Sequence, residues 1–268
     1  MVITGSVLLI GWQISRRVPK PETESNPWIS IAAAVGISAS YTVCHFGLHG
    51  KPAGNQPEAW EWLLLLVPIA AVVGGISAWL GPTRKYLHIA LYLALSLTVG
   101  WFLVPSFQAS PWLWRAVLAV TVFTLVVAQS WWRPTALVWV VTCSFGLPVL
   151  IASANAKFGF FATSIAAASG ACFLFWLFVS RTQFLGACVP VVSTLIPSIL
   201  FSGYFNDYGD VPLDAFAVIV CSPLLVWIAS FFTRKEMPTA LISLLLVAFA
   251  CSFALFRVWP ILTAEPAY

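Results

Sequence analysis

The chain has 268 residues, of which 60% are hydrophobic and only 8% charged, with a formal net charge of +4. Water-soluble domains carry about 25% charged residues, so a soluble fold is excluded. So small a positive balance calls for no nucleic-acid partner; its lysines and arginines lie mainly in short polar loops.

Ten apolar stretches follow one another. The first, Val2–Ser15, would be about 21 Å long as a helix, short for a membrane core of about 30 Å. Met1-Val2-Ile3-Thr4 lacks the basic start of a cleaved signal peptide, and Arg16-Arg17 come after the apolar run instead. This pattern suits a helix inserted with its N-terminus outside. A polar linker, Arg16 to Pro27, leads to the second span, Trp28–Phe46, and a polar loop, His49–Pro57. The third span, Ala59–Leu80, is closed by Gly81-Pro82-Thr83-Arg84-Lys85. The fourth is Tyr86–Val104, followed by a neutral loop through Ser110. Arg133-Pro134 separates the fifth, Trp112–Trp131, from the sixth, Thr135–Ala152. The seventh, Phe158–Ser180, lies between Lys157 and Arg181.

The eighth and ninth spans, Gly186–Phe201 and Pro212–Phe232, form a hairpin around the polar tip Gly203-Tyr204-Phe205-Asn206-Asp207-Tyr208-Gly209-Asp210. The tip carries two acids and no lysine or arginine, whereas Arg181 precedes the hairpin and Arg234-Lys235 follow it. The tenth span is Thr239–Trp259, with a tail to Tyr268. The fold expected is all-α: one polytopic transmembrane bundle of about ten spans over residues 1–268, with short loops and no soluble domain.

Loops after odd-numbered spans hold Arg16, Arg17, Lys20, Arg84, Lys85, Arg133, Arg181, Arg234 and Lys235; the other side holds Lys51, Arg115, Lys157 and Arg257. Cytoplasmic loops carry the excess of basic residues, which puts both termini on the non-cytoplasmic side. Without the first span the N-terminus moves inside and no other helix changes. Tryptophans mark the same boundaries: Trp60, Trp62, Trp101, Trp112, Trp114 and Trp259 at outer ends, and Trp12, Trp28, Trp79, Trp131 and Trp132 at inner ends. Amphipathic rings favour the headgroup level. A stacking surface for a sugar or nucleobase is the rival reading.

Ala162, Ala166 and Gly170 recur every four residues, as do Gly36 and Ser40. Small residues at this spacing let helix backbones approach in lipid. Pro68, Pro148, Pro190, Pro197 and Pro223 interrupt spans. Each is read either as a kink absorbed by neighbouring helices or as a helix break lining a substrate path; Pro68, Pro197 and Pro223 are the candidates for the second. Stretches 28–105 and 186–260 share a layout that a parallel repeat would give, Thr83-Arg84-Lys85 in one matching Thr233-Arg234-Lys235 in the other.

No ionisable residue falls near a span centre, which argues against a proton pump or a carboxylate-coupled cation carrier. His45 and His49 are four apart at the end of the second span, and Glu58 and Glu61 three apart at the start of the third. Each pair shares a helix face. The four could hold Zn²⁺ or a similar divalent metal. Alternatively, polar residues simply cap helices at the interface, with Glu58, Glu61 and Asp214 favoured at helix N-termini. The six cysteines are scattered without a C-x-x-C pair and read as buried thiols rather than a disulfide or zinc framework. No phosphate loop, nucleophile elbow or H-E-x-x-H is present, so hydrolase or nucleotide-driven chemistry has no residues to carry it; no cofactor is expected, and an enzyme is the less favoured reading.

Gly203-Tyr204-Phe205, with Pro212-Leu213 and then Ser222-Pro223-Leu224-Leu225, resembles a group of uncharacterised bacterial multi-spanning membrane proteins. The resemblance covers the last quarter of the chain. It implies a bacterial inner-membrane location and no particular activity. Function is expected to be transporter-like, for a neutral or amphipathic solute. The alternative is a non-catalytic structural or assembly subunit with membrane-protein partners besides the lipid bilayer. A metal-dependent membrane enzyme with its site at the outer rim ranks third.

Overall fold

The structure is a computed structural model that describes residues 1–17, 27–50, 58–81, 84–106, 108, 110–132, 136–178, 185–208, 210–232 and 236–264. The basic loop residues Lys20, Lys51, Arg133, Arg181, Arg234 and Lys235 lie outside them.

All regular structure in the described residues is helical: α1 (Val2–Arg17), α2 (Pro27–His49), a 3₁₀ turn (Ala59–Trp62) entering α3 (Leu63–Leu80), α4 (Lys85–Leu103), α5 (Pro111–Trp132), α6 (Ala136–Ala152), α7 (Ala156–Phe178), α8 (Cys188–Phe205), α9 (Leu213–Cys221), a 3₁₀ turn (Ser222–Leu224) into α10 (Leu225–Phe232), and α11 (Glu236–Thr263). Lipid offers no hydrogen bonds, so a spanning segment must satisfy its backbone internally, which a helix does. Among the described residues seven helices are long and apolar enough to cross a membrane; Val2–Gln13, Ala136–Ala152 and Leu213–Ala229 are shorter apolar helices. The expected all-α helical bundle is the observed fold. The stretches 28–105 and 186–260 comprise α2–α4 and α8–α11, respectively.

Contacts between helix ends orient the helices against one another. Trp28 meets Trp79 edge-on at 5.7 Å between ring centroids, and Trp101 meets Trp112 at 5.3 Å. Arg257 pairs with Asp214 at 3.0 Å and Lys157 with Glu58 at 3.6 Å. One end of the bundle thus carries His45, Glu58, Lys157 and Asp214; the other carries Trp28, Trp79 and Arg84.

Helix α8 is the axis of the bundle. It touches α2, α3, α4, α5, α6, α7 and α9. Every residue from Cys188 to Leu200 is buried. Its start is pinned twice at the Trp79 end. Ser30 Oγ of α2 accepts the Ala187 N–H at 2.9 Å, and Gly74 of α3 lies so close that an added Cβ would be 2.9 Å from the Ala187 carbonyl carbon. Only a residue without a side chain fits there. At the His45 end, Asn206 follows α8 and its carbonyl accepts from Asn155 Nδ2, between α6 and α7. Tyr208 N–H donates to the Ser153 carbonyl at 3.3 Å. These polar clasps tie the tip of the α8–α9 hairpin to the neighbouring turn.

The small-residue stripes seat helices. Thr4 Oγ1 of α1 donates to the Gly36 carbonyl at 3.1 Å and lies 2.7 Å from Ser40 Oγ. Ser164 of α7 donates to the Ser40 carbonyl at 3.3 Å. Gly11 packs on Ala32, so α1 runs antiparallel to α2. From Ser40 to the end of α2 is about 14 Å at 1.5 Å per residue, and Val2 lies about 3 Å beyond Thr4, so α1 starts roughly 11 Å short of that end. The first apolar stretch is thus a short helix packed along α2 and offset from that end. Ala162 faces Cys143 and Gly146 of α6, and Gly170 meets Val140.

Candidate functional site

At the His45 end, aromatic side chains from three elements converge. α2 contributes Tyr41, His45 and His49, the 3₁₀ turn contributes Trp60, and α7 contributes Phe158 and Phe161. The His45 ring lies parallel to Phe161, 5° between planes and 5.5 Å between centroids. Trp60 lies 5.1 Å from His45 and 4.9 Å from His49. Lys157 Nζ sits 4.5 Å above the Trp60 ring, a cation–π contact that shields its charge from the hydrocarbon. His45 is fully buried; its Nδ1 is 3.5 Å from the Tyr41 hydroxyl, and its Nε2 has no hydrogen-bond partner among the described residues.

The four residues expected to hold a metal do occupy this region, where the two carboxylates take other partners. His45 and His49 are 5.8 Å apart, ring centre to ring centre. Glu58 accepts from Trp60 Nε1 and pairs with Lys157. Glu61 Oε2 accepts the Glu58 N–H at 2.9 Å, which is the capping alternative. Asp214 opens α9 and pairs with Arg257. Among the described residues, no three of His, Cys, Asp and Glu gather where a metal could be held. The chemistry this arrangement does offer is packing and charge shielding. His45→Phe should therefore change stability by no more than about 1 kcal/mol. The stack on Phe161 is kept and an unpartnered ring nitrogen removed, offset by the Tyr41 hydroxyl losing its contact. Denaturant unfolding in detergent micelles would measure this, and a loss above about 2 kcal/mol would assign the imidazole a polar role.

The proline candidates divide. Pro68 and Pro197 lie inside continuous helices α3 and α8. Pro223 lies in the 3₁₀ turn that breaks α9 from α10. Proline has no N–H to give the carbonyl four residues back. At the break, Ser222 Oγ serves that carbonyl, donating to Ile219 at 2.9 Å. Thr142 Oγ1 of α6 lies 3.3 Å from Ser222 Oγ, and Cys251 Sγ of α11 donates to it at 3.5 Å. The polar knot holds three helices together around the break.

On α8 the hydroxyls behave differently. Ser193, Thr194 and Ser198 are buried, and none has a hydrogen-bond partner among the described residues. They flank Pro197 near the middle of the helix. Thr194 and Ser198 are one turn apart, on the stripe that ends in Phe201 and Phe205 against Trp114 of α5. Sequence reasoning weighed Pro197 and overlooked its hydroxyls. The signal was present in the run Pro190-Val191-Val192-Ser193-Thr194-Leu195-Ile196-Pro197-Ser198. The void where α6, α7 and α8 meet measures about 10 Å³ and is lined by Cys143, Gly146, Leu150, Ala162, Ile165, Ile196, Ile199 and Leu200. That is about the least volume that holds one water, and its walls are apolar.

No protein-family model, no curated protein and no solved structure matches the chain.

Proposed function

We propose that the chain is a non-catalytic membrane subunit, a packed helical platform for partner proteins in a bacterial inner membrane. In this reading the His45 end faces away from the cytoplasm, as the basic-residue count expects. The observation that carries it is the packing around α8: a helix buried without interruption from Cys188 to Leu200, beside a void of about 10 Å³. A solute path needs room at mid-membrane, typically beside broken helices. Here Pro197 sits in an unbroken helix, and the break at Pro223 is filled by the Ser222, Thr142 and Cys251 side chains.

A second reading has its own support. Three buried hydroxyls without partners beside Pro197 are what a transporter-like protein for a neutral or amphipathic solute would keep available to its cargo. Thiol accessibility separates the two. Ser198→Cys, in membranes treated with a membrane-impermeant thiol reagent, should label no more than the wild-type chain. Labelling of the introduced thiol that a solute blocks would replace the platform with a transporter.

A further inference from the structure

We propose that the groove between α2 and α3 at the Trp79 end holds one anionic phospholipid, its acyl chains on the apolar floor and its phosphate on Arg84. The groove encloses about 490 Å³ and is lined by Ile31, Gly75, Ile76, Trp79, Leu80 and Arg84. Ile76, Trp79 and Arg84 are exposed, so this depression belongs to the outer surface of the bundle and not to its core. Gly75 makes it deep: a Cβ there would stand 3.7 Å from Ile31 Cγ1 and take up part of the floor. Trp79, 64% exposed and braced edge-on by Trp28, forms one wall at headgroup depth.

The charge selects the occupant. Arg84 is exposed and is in no ion pair among the described residues. Gly81, at φ 64, turns the chain out of α3 just before it. A guanidinium above an apolar slot fits a phosphate that carries two hydrocarbon chains. It presents five donors in a planar fork that a phosphate accepts two at a time. A zwitterionic lipid brings the same phosphate with its own cation, so net charge decides between the two. One basic residue near the membrane surface favours an anionic lipid about five-fold. Lys85 is adjacent but does not line the groove, which distinguishes a site from diffuse attraction.

The test is native mass spectrometry of the full chain in detergent with equal phosphatidylglycerol and phosphatidylcholine. The wild-type chain should retain phosphatidylglycerol about five-fold over phosphatidylcholine. Arg84→Gln should bring the ratio close to one, and Lys85→Gln should leave it unchanged. Ile76→Trp, which fills the slot from its lipid-exposed side, should reduce retention of both lipids. The proposal is overturned by equal retention in the wild-type chain, or by Lys85→Gln losing as much as Arg84→Gln. It also fails if millimolar inorganic phosphate displaces phosphatidylglycerol, which would mark a free-anion site, or if a lipid-free dimer forms that Ile76→Trp abolishes.

Discussion

Gly74→Val should lower the unfolding free energy by about 3 kcal/mol, the upper range for forcing extra bulk into a filled contact. At this crossing the neighbour is backbone, the Ala187 carbonyl at the head of α8, so no side chain can swing aside. Either α3 moves outward or α8 loses its first turn. Gly75→Ala is the matched control on the same helix. Its new Cβ would meet Ile31 at an ordinary 3.7 Å, and alanine favours a helix over glycine, so its stability should hold or rise. Ser30→Ala probes the same junction from α2. It strips the Ala187 N–H of its acceptor, at about 1–3 kcal/mol for a buried donor left unmade. Denaturant midpoints in one detergent compare all three. Equal midpoints for Gly74→Val and Gly75→Ala would refute the close crossing.

The second large effect centres on Trp139, among the largest fully buried side chains. Its indole N–H donates to Gln129 Oε1 at 2.8 Å, joining α6 to α5. Trp139→Ala should cost about 3–5 kcal/mol through lost contacts and the cavity left behind. Trp139→Phe keeps most of the packing but strands the glutamine amide; Gln129→Leu strands the indole. Each should cost about 1–3 kcal/mol. The double variant removes both polar partners and should recover most of that loss. If the two single losses simply add, the hydrogen bond is not what couples α5 to α6.

Much of this architecture could be read from the sequence. The expected span Ala59–Leu80 is the 3₁₀ turn with α3, and Trp112–Trp131 is α5 to within one residue at each end. Runs of apolar residues between Pro, Gly and basic residues fix helix limits because water and hydrocarbon differ so sharply. Lateral order was not legible, because lipid tails are as apolar as the protein interior and hydropathy does not say which helix is central. The outermost contrast shows it: α8 has a mean hydropathy of 1.6 and is 83% buried, while the Thr239–Thr263 part of α11 reaches 2.4 and is 22% buried. At the candidate site, the pairing of His45 with His49 and of Glu58 with Glu61 was visible from helical spacing. Lys157 arriving from α7 to take Glu58 was not, because nothing local in sequence announces a partner 99 positions away.

The enclosure of α8 constrains how the molecule can be made. Of the helices around it, α2 to α7 leave the ribosome first and only α9 follows, so the early walls must tolerate a hollow centre until their occupant is threaded in. A chain halted before Cys188 would present facing walls with nothing between them. Completion of the packed bundle therefore waits on α8, and a copy without it would expose helix faces that the finished fold buries.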